Sequence, residues 1–145
     1  MTFAQPRQPA IVLVDDDFHS IRLLVRMLNA HGGPNVEAMS DPDSALTALT
    51  ARAVASSGEQ PMVIVDLKAS SAATARFIAS LHAAAPGLLV VAMSPSLDRI
   101  SRDKLLDAGA AAVFGRHADL NLYRREAASI VAYWVRGQRL NAVGT

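Results

Sequence analysis

Apolar residues in this chain collect in short runs that alternate with stretches of helical period. Ile11-Val-Leu-Val14, Met62-Val-Ile-Val65 and Leu88 to Met93 are continuous apolar segments, the pattern of strands buried on both faces. Val36 to Met39 and Ala110 to Phe114 read as shorter, weaker strands. Between them, Ile21, Leu24, Val25 and Leu28 follow the i, i+3, i+4, i+7 spacing of a helix, and Gly32-Gly33-Pro34 stops it. A second helix starts at the cap signal Ser40-Asp41-Pro42-Asp43, continues through Leu46, Leu49 and Ala53, and ends near Ser56-Ser57-Gly58. Ser70 and Ser71 are expected to cap a third, carrying Phe77, Ile78 and Leu81 and ended by Pro86-Gly87. A mixed-charge fourth helix lies around Ile100, Leu105 and Leu106 and closes at Gly109. The last runs from about Asp119 to Arg136, with Leu122, Ile130, Val131, Trp134 and Val135 on its apolar positions.

Five strands alternating with five helices call for a parallel sheet with right-handed crossovers. At 145 residues the chain is one domain, large enough to bury a core without a metal or disulfide staple. Residues 1–9 read as a short disordered leader, 10–137 as the domain and 138–145 as a tail. With no cysteine, disulfides, thiolate metal sites and thiol nucleophiles are excluded. Fourteen Lys plus Arg against thirteen Asp plus Glu leave a net charge of +1, which gives no argument for a nucleic-acid or membrane partner. The N-terminal residues carry no apolar signal-peptide core, and no apolar run nears the roughly 20 residues of a membrane span. A cytoplasmic location is expected.

Chemistry concentrates at the strand ends. In open α/β sheets, ligands bind at the carboxyl ends of the strands. In a parallel stack that rim receives Asp15, Asp16 and Asp17, then Asp66, then Ser94, then Arg116. Carboxylates gathered so closely repel unless a cation joins them, and hard oxygen ligands suit Mg2+. Asp17 reads as a helix cap rather than a ligand. His19, His31, His82 and His117 lack ligand spacing, and Tyr133 and Trp134 read as core and rim.

The order of these pieces resembles a response-regulator receiver domain from about Ala10 to Gly137. The matching residues are Ile11-Val-Leu-Val-Asp-Asp-Asp17 with Arg22 downstream, Val63-Ile-Val-Asp66, Val90-Val-Ala-Met-Ser94 and Ala108-Gly-Ala110. The fold implied is flavodoxin-like, a five-stranded parallel sheet of order 2-1-3-4-5 with helices on both faces. The resemblance further implies that Asp66 accepts a phosphoryl group from a sensor histidine kinase or phosphotransfer protein. Asp16 would bind Mg2+ directly and Asp15 mainly through water, with Asp66 and the backbone carbonyl of Lys68 completing the protein ligands. Ser94 matches the hydroxyl that meets a phosphoryl oxygen. The chain is then a phosphoacceptor signalling domain and not an enzyme in the ordinary sense, though self-catalysed phosphotransfer and dephosphorylation at Asp66 are implied. It stands either as a single-domain regulator or as a fragment of a longer one.

The sequence departs from the family pattern at several positions. The family's Lys-Pro is here Arg116-His117, and a guanidinium is larger, planar and more weakly hydrated than an ammonium. Ala69-Ser70 replaces the usual Met-Pro. Lys68 adds an ammonium that can stand in for the missing Lys, or pair with Asp16 or Asp66 and compete with Mg2+. The usual switching aromatic falls on Val113, with Phe114 beside it. The pattern is that of an atypical receiver, and a second reading is a pseudo-receiver: the same fold as a phosphorylation-independent interaction module with Lys68 in the acidic pocket. The face of the fourth helix, fifth strand and fifth helix offers a surface for a second copy or a target, where Asp98, Asp103 and Asp107 can meet Arg124, Arg125 and Arg136. The same charges also suit a solvated surface.

Overall fold

The computed structural model describes residues 9–55 and 60–143. Most of the expected leader, the helix end at Ser56-Ser57-Gly58 and the end of the expected tail lie outside them. Strands β1 (Ile11–Asp15), β2 (Val36–Met39), β3 (Met62–Asp66), β4 (Leu89–Ser94) and β5 (Ala112–Gly115) alternate with helices α1 (Phe18–Ala30), α2 (Pro42–Ala55), α3 (Ala73–Ala84), α4 (Arg99–Ala108) and α5 (Leu120–Val143). All strand pairs are parallel and the sheet order is β2-β1-β3-β4-β5, as the pattern predicts. No helix among the described residues is long and apolar enough to cross a membrane.

Successive strand residues point to opposite faces, so one apolar run feeds two cores. Val12, Val14, Val63, Val65, Val90 and Ala92 pack with Leu49, Phe77, Ile78, Leu81 and Leu105 of α2, α3 and α4. Ile11, Leu13, Ile64, Val91 and Met93 pack on the other face with Leu24 and Leu28 of α1 and Tyr123, Ala127, Ile130 and Val131 of α5. Burial of each Val, Leu, Ile, Phe or Met side chain among them contributes about 1.5–3 kcal/mol. The sheet is therefore anchored from both sides, and its carboxyl rim is held in place.

The helix starts follow local chemistry. The Asp17 carboxylate caps α1 by accepting from the His19 N–H at 2.9 Å, which bears out its reading as a cap. Asp41 caps α2 through Ser44, and Asp98 caps α4 by accepting from the Ser101 N–H at 2.7 Å. At α3 the expectation fails. The cap position is Ala72, which offers no side-chain bond, and neither Ser70 nor Ser71 caps the helix. Thr74 orders this end instead: its hydroxyl accepts from the Leu67 N–H at 2.9 Å and donates to the Leu67 carbonyl at 3.2 Å.

Two apolar readings also change. In α4 only Leu105 is buried, whereas Ile100 is 71% exposed and Leu106 39%. At 100° per residue, Ile100 stands about 140° around the helix from Leu105, so both cannot face the sheet. In α5 the buried stripe is Tyr123, Ala127, Ile130 and Val131, and Leu122 lies beside it, 46% exposed. That helix continues past Arg136 to Val143. Gly109, at φ +124°, ends α4, and a Cβ there would fall 2.7 Å from the His82 ring of α3. His82 is thus a packing partner for the α4 turn.

At the sheet edge, Arg52 of α2 binds Glu37 of β2 through two bonds of 2.8 and 3.1 Å, and this holds the Glu37 carboxyl below its usual range. A carboxyl depressed in the folded state stabilises the protein above its unfolded value of 4.5, and that contribution is lost as pH falls through the folded pKa. Both partners are more than a third exposed, so Arg52→Ala is expected to cost under about 1 kcal/mol at neutral pH and nothing in acid. Denaturant midpoints of both proteins across that pH range check it; a cost that persists in acid would assign it to packing.

Candidate functional site

The parallel register sets Asp15 of β1 beside Asp66 of β3 and Ser94 of β4 beside Gly115 of β5. Asp15, Asp66 and Ser94 are all buried, at 0%, 1% and 5% exposure. A carboxylate this deep must be compensated by charge or hydrogen bonds, and here two cations reach in. The Arg116 guanidinium, just past β5, donates to Asp66 Oδ1 at 2.5 Å. The Lys68 ammonium donates to Asp15 Oδ1 at 2.7 Å and to the Asp66 carbonyl at 3.2 Å, and it stands 3.1 Å from Asp66 Oδ2. This last contact is ionic without hydrogen-bond geometry, which leaves Asp66 Oδ2, like Asp15 Oδ2, a buried acceptor without a donor.

Asp16 takes a different part. Its carboxylate accepts from the Lys68 N–H at 2.9 Å and the Ala69 N–H at 3.0 Å, tying the β1–α1 turn to the β3–α3 loop. Lys68 therefore pairs with Asp15 and Asp66 through its side chain and meets Asp16 through its backbone, so the expected Lys68 side-chain pairing holds for Asp66 and not for Asp16. The Ser94 hydroxyl donates to the Ser96 carbonyl at 2.6 Å, a local turn bond that leaves it directed at its own loop.

Burial pushes the Asp15 carboxyl above its ordinary value; the Lys68 and Asp17 bonds pull it back, and the Asp66 charge adds to the rise. Tyr123 of α5 sits beneath the rim, 3% exposed. Its phenol is raised well above its ordinary value, first by burial and then by the Asp66 and Asp15 charges. The hydroxyl has no hydrogen-bond partner. Its place on a stripe with Ala127, Ile130 and Val131 is the signal that would have found it. Glu126, one turn along, accepts from the Gly115 N–H at 2.7 Å and lies 3.5 Å from His117 Nε2, so it fixes the end of β5 just before Arg116. Nothing in the sequence marked it. Val113 packs into the core under α3 and α4, whereas Phe114 faces α5, edge-on to Tyr133 at 5.8 Å.

Asp15, Asp16 and Asp66 are the right donors for a hard divalent cation, which takes several oxygens in open geometry. In this arrangement they do not fit one. The Lys68 ammonium stands between Asp15 and Asp66, Asp16 is committed to two backbone amides, and among the described residues no three acidic or imidazole side chains are grouped to hold an ion.

Thr74 controls how the pocket is presented, because its hydroxyl bonds both polar groups of Leu67, between Asp66 and Lys68. Thr74→Val keeps the shape and strands both groups, at an expected cost of about 1–3 kcal/mol. Denaturant unfolding checks this, and a change below a few tenths of a kcal/mol would mean that water replaces the hydroxyl.

No family model matches the chain, and no curated protein sequence matches it significantly. Solved structures do. A response regulator receiver domain from Rhodospirillum rubrum superposes with a TM-score of 0.73 at 20% identity, over 86% of this chain and 92% of that one. A proposed pilus assembly protein (cpaE) from Burkholderia thailandensis gives 0.69 at 15% identity, over 89% and 99%. The Mn2+-bound form of another response regulator gives 0.68 at 14% identity, over 87% and 94%. At these identities the likeness is one of fold, and together with the strand order it shows that this chain has the fold of the response-regulator receiver domains.

Proposed function

We propose that this protein is a two-component receiver that takes a phosphoryl group on Asp66 from a sensor histidine kinase or phosphotransfer protein and signals through protein contacts. The observation that carries the reading is the buried Asp66 carboxylate at the end of the central strand, with the Arg116 guanidinium on one of its oxygens. Phosphoryl transfer asks the protein mainly to position a nucleophile and neutralise charge on the transferred oxygens. An Asp66 oxygen forms the new P–O bond as the donor's P–N bond breaks, and Arg116 and Lys68 are the cations at hand. The resemblance assigns Mg2+ to Asp15, Asp16, Asp66 and the Lys68 carbonyl, but with the Lys68 ammonium between Asp15 and Asp66 the neutralising charge in this pocket comes from Lys68 and Arg116. The domain acts as a signalling element rather than a conventional enzyme.

The output face supports the protein-contact part. Leu97, Ile100, Leu106, Leu120 and Leu122 are all exposed on α4, its lead-in and the start of α5, on either side of β5. A second copy or a target covering them would bury apolar surface that otherwise meets water. Of the acids expected there, Asp98 is already committed to capping α4 and Asp103 lies 3.8 Å from Arg99, which leaves Asp107 to face Arg124, Arg125 and Arg136 across such a contact.

Lys68 in the pocket favours a second reading, a phosphorylation-independent interaction module. Incubation with acetyl phosphate or beryllofluoride, with and without Mg2+, separates the two. The phosphoacceptor reading expects a phosphoryl adduct by intact mass, or beryllofluoride-induced shifts in residues around Asp66. Silence under every condition assigns the chain to the second reading.

A further inference from the structure

We infer that Lys68 is the resident cation of the acidic pocket, a tethered ammonium that holds the place of a divalent ion and keeps the site insensitive to Mg2+. Its Nζ reaches three oxygens on two neighbouring strands: Asp15 Oδ1, Asp66 Oδ2 and the Asp66 carbonyl, at 2.7, 3.1 and 3.2 Å. An ammonium has three N–H donors and no acceptor. This seat offers oxygens on the sides it presents inward, and the side chain is only 22% exposed.

The seat is built by the loop. Thr74 bonds both polar groups of Leu67, and Asp16 takes the N–H groups of Lys68 and Ala69. The backbone of Lys68 is therefore pinned at the rim, and its side chain folds back over the end of β3 toward the carboxylate two residues before it. A cation delivered by its own backbone loses no translational freedom on binding, so a free ion competes against a high effective concentration.

Charge settles the competition. Asp15, Asp66 and, at the rim, Asp16 carry three negative charges, against the two positive ones that Lys68 and Arg116 hold 3.1 Å or less from Asp15 and Asp66. A divalent ion entering beside them would leave the buried cluster with surplus positive charge, and like charges a few ångströms apart repel strongly away from bulk water. It would also have to draw Asp16 off the two backbone N–H groups that hold it, those of Lys68 and Ala69, and so loosen the loop that seats Lys68. The two carboxylate oxygens without hydrogen-bond donors, Asp15 Oδ2 and Asp66 Oδ2, mark where an ion would find ligands if the ammonium were gone.

The inference concerns the same pocket as the phosphoacceptor reading, but its test reads metal binding and folding, so each can fail alone. Mg2+ and Mn2+ are titrated by calorimetry into the full chain and into Lys68→Met, which keeps the aliphatic stem and removes the charge. Thermal melts of both are recorded with and without Mg2+. The wild type is expected to bind weakly and to melt at the same temperature in either case. Lys68→Met should bind at least about tenfold tighter, melt lower without metal and regain stability with Mg2+, whereas Lys68→Arg, which keeps the charge, should remain unresponsive. Firm Mg2+ binding or stabilisation by Mg2+ in the wild type overturns the inference, whatever the variants do. So does a Lys68→Met protein that folds and binds no tighter than the wild type. If Lys68→Met folds only in Mg2+, the inference is supported.

Discussion

Asp66→Asn is expected to abolish phosphoryl uptake while leaving the fold intact. Asn keeps the volume of Asp but offers an amide oxygen in place of an anionic nucleophile, and the other carboxylates cannot substitute. Asp15 Oδ1 is held by Lys68 and the Asp17 N–H, and Asp16 is tied to the backbone of the β3–α3 loop. The substitution frees Arg116 of its buried partner, but that side chain is 24% exposed and can turn to water, while Lys68 keeps Asp15. Far-ultraviolet circular dichroism should therefore be unchanged and the adduct absent from the mass spectrum. An adduct surviving in Asp66→Asn would move the phosphoacceptor to another residue and overturn the assignment.

The second large effect is on stability. Ile64 is the middle residue of the central strand, fully buried, in register with Leu13 on one side and packed with Val91 and Met93 of β4 and the apolar faces of α1 and α5. Ile64→Ala removes three carbons where neighbours on two strands and two helices hold the walls apart, so the space closes only partly. The expected cost is about 2–5 kcal/mol, a large part of the 5–15 kcal/mol typical of a domain. In a chain of this size that is a fall in melting temperature of about 4–20 °C. Ile100→Ala, on the exposed face of α4, should stay within about 0.5 kcal/mol. Parallel denaturant titrations check the contrast, and equal losses in the two variants would mean that α4 packs against something not seen here.

Much of the architecture was legible because it follows from local period. A run such as Met62-Val-Ile-Val65 buries both faces only as a central strand, and the helical spacing of Leu24 and Leu28 fixes which side of α1 meets the sheet. That Asp15, Asp66, Ser94 and Arg116 share a rim follows from the strands being parallel, since each run ends at the same edge. The misses share a cause. Ser70 and Ser71 have the chemistry of caps, yet the loop they occupy is shaped by Thr74 reaching back to Leu67. Ile100 and Leu106 are apolar but stay exposed, because their helix turns Leu105 and Ala108 to the core. Glu126 matters because its carboxylate finds the Gly115 amide, eleven residues away.

The order of strands and helices, the two-sided core and the gathering of acidic residues at one edge follow from side-chain type and from periods of two and 3.6 residues along the chain. Which charges meet depends instead on how the chain packs in three dimensions. Asp16 and Lys68 lie 52 residues apart in the chain, and so no local rule could say that the backbone of Lys68 would bind Asp16 while its ammonium turned to Asp15 and Asp66. Electrostatic pairing depends on separations of a few ångströms in space, and those are set by how the loops close over the sheet.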